Sequence, residues 1–246
     1  MSTANVLVVM RRELASYFAT PVAYVFIVIF LLMSAAFTFH LGGFFEREIA
    51  DLQPFFRFHP WLYLFLVPAV GMRLWAEERK YGTIELLLTL PITASEAVIG
   101  KFVAAWLFVG LALALTFPIW ITVNVLGNPD NGVILAGYVG SWLMAGGFLA
   151  ISACLSAATR NQVVAFILSV VVCFGFLLSG LPIVLDLFRG WLPQALVDGV
   201  ANLSFLMHFD SISRGVIDLR NIIYFTLVIA FWLVANRIVL EIRKAD

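Results

Sequence analysis

Two adjacent carboxylates, Glu77 and Glu78, follow Arg73 by one helical turn and precede a glycine, and of all the side chains here they have the types closest to chemistry. Paired glutamates at a membrane surface activate water in intramembrane proteases, but that chemistry also wants an arginine four positions after the second glutamate. Gly82 stands there. His40, His59 and His208 are scattered, and none has a second ligand three or four residues away on one helix face, the spacing a metal site needs. Gly100-Lys101 runs into Phe102 and lacks the earlier glycine of a phosphate loop, so the chain has no nucleotide cradle of that kind. Cys154 and Cys173 both lie inside apolar runs and read as small packing residues. An intramembrane enzyme is therefore kept only as an alternative. Arg73 itself sits deep in the end of an apolar run, where a charge finds a partner or snorkels to the interface, and Glu77 is the partner in reach.

The elements that must carry these residues are membrane elements. Of 246 residues, 63% are apolar and 12% charged, against roughly 25% charged in soluble domains. Mean hydropathy is +1.02. The formal net charge is zero and the basic residues form no stripe, which excludes nucleic acid as a partner. The fold class expected is an all-α integral membrane protein with six transmembrane helices in a single domain, 1–246. Residues 5–18 form an amphipathic helix lying in the interface, with Arg11 snorkelling. Spans follow at about 22–41, 60–76, 102–126, 133–158, 163–185 and 221–240, each long enough for about 30 Å of hydrocarbon. Residues 42–59 read as a polar connection, and 127–132 as a tight turn. The 133–158 span carries glycine, alanine and serine along its length, which suits a helix buried among neighbours. Residues 187–220 alternate apolar and charged positions and suit a re-entrant outer segment of broken amphipathic helices.

Between the second and third spans lies the one long charged stretch, a loop at 77–96. Gly82 can take the left-handed conformation that closes a helix; Thr83 can cap the next, Glu85 favours its first turn, and Pro91 ends it. Thr93 and Glu96 stand at capping-box spacing. In 84–90 the polar residues Glu85 and Thr89 share one narrow strip, while Ile84, Leu86, Leu87, Leu88 and Leu90 cover the rest. Such a helix either packs on the base of its own bundle or docks onto another protein.

Here the sequence resembles a family. Glu78-Arg79, Gly82-Thr83-Ile84-Glu85, Leu87-Leu88 and Pro91 look like the loop between spans two and three of ABC-2 permeases, above all the gliding-motility and copper-enzyme-maturation type. The resemblance implies that these residues form a cytoplasmic coupling helix seated in a groove of a separate ATPase. A second patch, Leu203-Ser204, His208-Phe209 and 215–219 with Gly215 and Asp218, resembles the end of the outer re-entrant segment in the same permeases. Relatives often carry an acidic residue where Asn221 stands, which leaves the cargo and the outer partner open. The resemblance further implies two ATPase copies, a second permease (identical or related), surrounding membrane lipids, and room for an extracytoplasmic accessory protein. No cofactor is expected on this chain; ATP and Mg belong to the partner ATPase.

Counting Lys and Arg sets the orientation. Arg11, Arg12, Arg73, Arg79, Lys80, Lys101, Arg160, Arg237, Arg243 and Lys244 fall on the side of the termini and the charged loop; Arg47, Arg57, Arg189, Arg214 and Arg220 fall on the other. Ten against five puts both termini in the cytoplasm of a bacterial inner membrane. Secondary transport or a channel is the runner-up class, but the spans hold almost no charged side chain to replace an ion's water and show no inverted repeat. Phe37, Phe39, Trp106, Phe108, Trp120 and Trp142, with Trp191, Phe205 and Phe209 outside, are expected either to offer an apolar surface where two permeases meet or to form an aromatic belt at the membrane interface. Export of a lipidic, amphipathic or polymeric cargo is the resulting expectation.

Overall fold

A computed structural model describes residues 2–83, 91–189 and 193–242, and among these it contains twelve α-helices and no strand. The coupling-helix candidates Ile84, Glu85, Leu87 and Leu88, and Trp191 of the outer segment, lie outside the described residues. In chain order the helices are α1 (Thr3–Phe18), α2 (Pro21–Ala36), α3 (Gln53–Gly71), α4 (Arg73–Tyr81), α5 (Ala94–Ala114), α6 (Phe117–Leu126), α7 (Asn131–Ala158), α8 (Gln162–Leu178), α9 (Pro182–Arg189), α10 (Gln194–Ala201), α11 (Phe205–Ser213) and α12 (Leu219–Ile242). Among the described residues, four stretches are long and apolar enough to cross a membrane: Pro21–Leu41, Ala94–Leu126, Asn131–Ala158 and Leu219–Ile242. The first continues α2 through a π-helical turn, Phe37–Leu41.

α7 is the central helix. Its most apolar window is 72% buried, against 17% for that of α12 and 28% for that of the α2 stretch. It packs on α12, α3, α11, α8 and α5. Small residues make this possible, because in lipid close backbone approach supplies the van der Waals contact that water would otherwise drive. The α5–α7 contact shows the device most clearly. Trp106 and Trp142 stack with ring centroids 4.1 Å apart and 12° between planes. Each indole N–H donates to the other residue's carbonyl, at 2.8 and 3.2 Å. One turn further along each helix stands a glycine. A Cβ on Gly110 would lie 2.7 Å from Trp142 Nε1, and one on Gly146 would lie 2.9 Å from Trp106 Nε1.

Three boundaries differ from those read in the sequence. Helix α3 begins at Gln53, well before Pro60, so 53–59 is the first two turns of that helix. Pro54 sits at the helix start, where a missing N–H costs nothing, and Phe55, Phe56 and His59 are buried on one helical face while Arg57 points out. The third apolar stretch breaks at Leu115–Thr116, ahead of Pro118, into α5 and α6. Helix α8 ends at Leu178, earlier than the 185 expected, because Gly180 and Pro182 follow; a Cβ on Gly180 would meet Ser204 Cβ at 2.5 Å. Seventeen residues span only about 25 Å, so α8 is apolar but short.

Three of the aromatic residues singled out in the sequence, Phe108, Phe205 and Phe209, are core residues. Phe108 is 1% exposed and packs among Tyr17, Phe18 and Phe26, while Phe205 and Phe209 lie in the core beneath α7 and α12. These rings hold the bundle together and offer no outward surface. The exposed apolar stripes come instead from aliphatic and aromatic residues of α2, α8 and α12, such as Val28, Ile167 and Phe231.

Candidate coupling site

Four charges gather where α1, α4 and α5 meet. Lys101 is 2% exposed; its Nζ lies 2.8 Å from Glu78 Oε1, 3.1 Å from Glu13 Oε1, and over the Trp75 ring at 5.1 Å. Arg12 pairs with Glu13 at 2.7 Å and reaches Glu78 at 3.7 Å. Two carboxylates and two cations cancel, which is what permits a lysine to be buried. Burial alone would raise the Glu13 carboxyl, but Lys101 first and Arg12 with it hold it below its ordinary value. Arg73 and Glu77 form a separate pair at 3.0 Å, the partner choice that their spacing indicated.

Each helix is brought to this cluster by a local device. Helix α3 breaks at Met72, and Ser156 of α7 plugs the break. Its hydroxyl accepts from the backbone N–H of Trp75 and Ala76 at 3.1 and 3.0 Å and donates to the Met72 carbonyl at 2.7 Å. Those N–H groups are the orphans of a new helix start, so Ser156 fixes the angle at which α4 leaves α3. Gly71 lets α3 come against Ser152, where a Cβ would lie 2.4 Å from the serine's own. Helix α5 begins with the Thr93–Glu96 capping box. Glu96 also accepts from the Ser2 N–H and from Asn5 Nδ2, tying the start of α1 to the start of α5. Backbone donors from Thr93 and Ser2, then Asn5, lower the Glu96 carboxyl to about 2. This cap precedes the apolar run of α5, which begins at Phe102.

The docking candidates now separate. Glu78 turns inward to Lys101, so it anchors the segment and does not present itself to a partner. Arg79 is half-buried. Gly82 ends α4 at φ 70°, the left-handed cap its position called for. Thr83 is exposed, and its hydroxyl donates back to the Glu78 carbonyl at 3.4 Å. Pro91 is exposed, and its carbonyl accepts from Asn5 Nδ2 at 3.5 Å. Sequence reasoning missed Glu13, Lys101 and Ser156. The first two lie on different helices far apart in the chain, and Ser156 was legible only as one small residue among many.

At the opposite end of the bundle lie α9, α10 and α11. His208 is buried, stacked on Tyr224 at 3.8 Å, with Nδ1 2.7 Å from Asn221 Oδ1 and Nε2 3.0 Å from the Asn202 carbonyl. Asn221, the departure noted in the sequence, thus serves the histidine. Phe209 lines the core, Gly215 takes φ 87° against Val133, and Asp218 accepts from the Arg220 N–H at the start of α12. No group of three His, Cys, Asp or Glu among the described residues is placed to hold a metal ion.

A bundle of long apolar helices broken at fixed points, with a charged intersection at one end, is the architecture of a multi-pass helical membrane protein. A family model described as ABC-2 family transporter protein matches residues 6–214, from α1 through α11, and the chain belongs to that family. A search of curated proteins found no match. The chain is accordingly a permease component of an ABC transporter, and permeases of this family generally work with an ATPase subunit.

Proposed function

We propose that the segment from Gly82 to Pro91 docks the permease onto a cytoplasmic ATPase, and that the Lys101 cluster carries the ATPase's movement into the spans. The observation that carries this reading is the position of Glu78. It lies one turn before the Gly82 cap and is held by Lys101 of α5, while Arg12 and Glu13 tie the same point to α1. A push on the segment after Gly82 is therefore shared at once by three helices. The near-continuous apolar surface of 84–90 supplies the reason for a partner, since its sequence is too apolar for a loop in water.

In this reading six spans cross a bacterial inner membrane, with α3–α4 and α8 completing the four longer stretches, and α1 lies in the interface. Both termini face the cytoplasm by the ten-to-five distribution of Lys and Arg. Two permeases of the gliding-motility or copper-enzyme-maturation type, identical or related, work with two ATPase copies that hold ATP and Mg. The complex exports a lipidic, amphipathic or polymeric cargo, with an accessory protein accommodated outside. The test is Leu87→Asp, which would bury an unpaired charge in the ATPase groove at a cost on the order of several kcal/mol. Copurification of the ATPase should fail while the permease still inserts; unchanged copurification and ATPase coupling would overturn the assignment.

A further inference from the structure

We infer that the cavity at the outer-segment end of the bundle binds an amphipath with an anionic head group. The cavity, an open cleft of about 960 Å³, lies between the end of the α2 stretch, the start of α3, the end of α8 and α11. That volume is in the range of small-molecule and lipid-sized sites. Its walls have two characters. Leu41, Trp61 and Met207 contribute exposed apolar side chains, and Arg47, Arg57 and Arg214 provide cations among them, against Asp210 as the single acidic lining residue.

The charges are not all spoken for. Arg47 pairs with Asp51 at 3.2 Å, and Arg214 with Asp210 at 2.7 Å. Arg57 has no carboxylate within ion-pair distance among the described residues, and it projects from α3 next to the apolar wall. An unpaired guanidinium offers a planar fork of donors that matches a phosphate or carboxylate. The cavity is built into the fold. Gln53 Nε2 donates to the Ser213 carbonyl at 3.0 Å, joining α3 to α11, and the Ser204 hydroxyl donates to the Leu177 carbonyl, joining α11 to α8. An acyl or prenyl chain along Leu41, Trp61 and Met207, with its anionic head at Arg57, satisfies both wall types at once. Neither a free anion nor a neutral lipid does. This deepens the permease reading by naming a ligand class at the end remote from the ATPase segment.

The experiment uses the full chain, purified without ATPase. Trp61 reports on the cavity through quenching by a single-chain phosphate ester carrying a dibrominated acyl chain, with Trp61→Phe as the background. Saturable quenching of Trp61 is expected. Arg57→Gln should weaken binding about tenfold, the effect of losing one charge-assisted contact, while Arg57→Lys keeps most of it. A choline ester with the same chain should bind at least roughly tenfold more weakly, and inorganic phosphate in the millimolar range should not displace the probe. Equal binding of the choline ester, no effect of Arg57→Gln, or full displacement by phosphate alone would each overturn the inference. The measurement involves no ATPase, so its failure would leave the docking segment untouched, and failure of Leu87→Asp to release the ATPase would leave this site untouched.

Discussion

Lys101 Nζ stands 2.8 Å from Glu78 Oε1, and that contact joins the helix leaving the α3 break to the helix entering the third apolar stretch. Because Glu78 and Glu13 are only 18% and 16% exposed, removing the lysine leaves two carboxylates facing each other with Arg12 alone to compensate. Lys101→Met should destabilise the purified permease by on the order of 3 kcal/mol, read as lowered thermal stability in detergent. Adding Glu78→Gln should recover part of the loss. If the double variant were no better than the single, the pair would not be coupled as described.

Acid sensitivity follows from the same region. Glu13 and Glu96 are both held below their ordinary carboxylate values in the folded protein. A lowered carboxyl contributes stability that is complete above its unfolded value and is lost as pH falls through the folded one. For Glu96 that window runs from about 4.5 down to about 2. Stability should therefore fall as pH drops through this range. Glu96→Gln should flatten the drop while lowering stability at neutral pH, and an unchanged acid limb would count against the cap.

Ser156→Ala tests the plug in the α3 break. It strands the Trp75 and Ala76 N–H groups in a buried place, at a cost of about 2–4 kcal/mol for the two. Hydrogen exchange at these two amides should accelerate well before that of the α7 core. A uniform change over the whole bundle would mean that Ser156 only packs.

The sequence carried the framework because hydropathy and capping are local. The Thr93–Glu96 box, the Gly82 cap and the Arg73–Glu77 pair all depend on spacings within one or two turns, and all three stand in the structure. Glu78 shows where local reasoning stops. The resemblance implied a docking role for it, yet a lysine 23 residues on holds it, and only the crossing of α1, α4 and α5 brings the two together. The aromatic residues teach the same lesson. A ring in an apolar run faces lipid or core according to which neighbour arrives, and for Phe108 the neighbours come from α1 and α2.

The Trp106–Trp142 pair predicts an unusual sensitivity to one methyl group. Gly110→Ala would put a Cβ 2.7 Å from the Trp142 indole nitrogen and push the ring off its acceptor, at a cost of about 1–3 kcal/mol. Trp142→Phe removes one donor but keeps the stacking surface, and should cost about 1 kcal/mol. Thermal unfolding checks both; a Gly110→Ala variant as stable as the parent would show that the indole can move without loss.

Orientation is tested with single cysteines, and the native background favours the experiment because Cys154 and Cys173 are both buried. Lys80 and Asn128 are exposed at opposite ends of the bundle, the first at the end of α4 and the second in the turn between α6 and α7. If the ten-to-five charge distribution orients the chain, an impermeant thiol reagent added outside intact spheroplasts labels Asn128→Cys and not Lys80→Cys. Opening the membrane should expose Lys80→Cys to the reagent. Labelling of Lys80→Cys alone in intact cells would invert the protein, placing the segment after Gly82 on the side without ATP and removing the basis for its docking role.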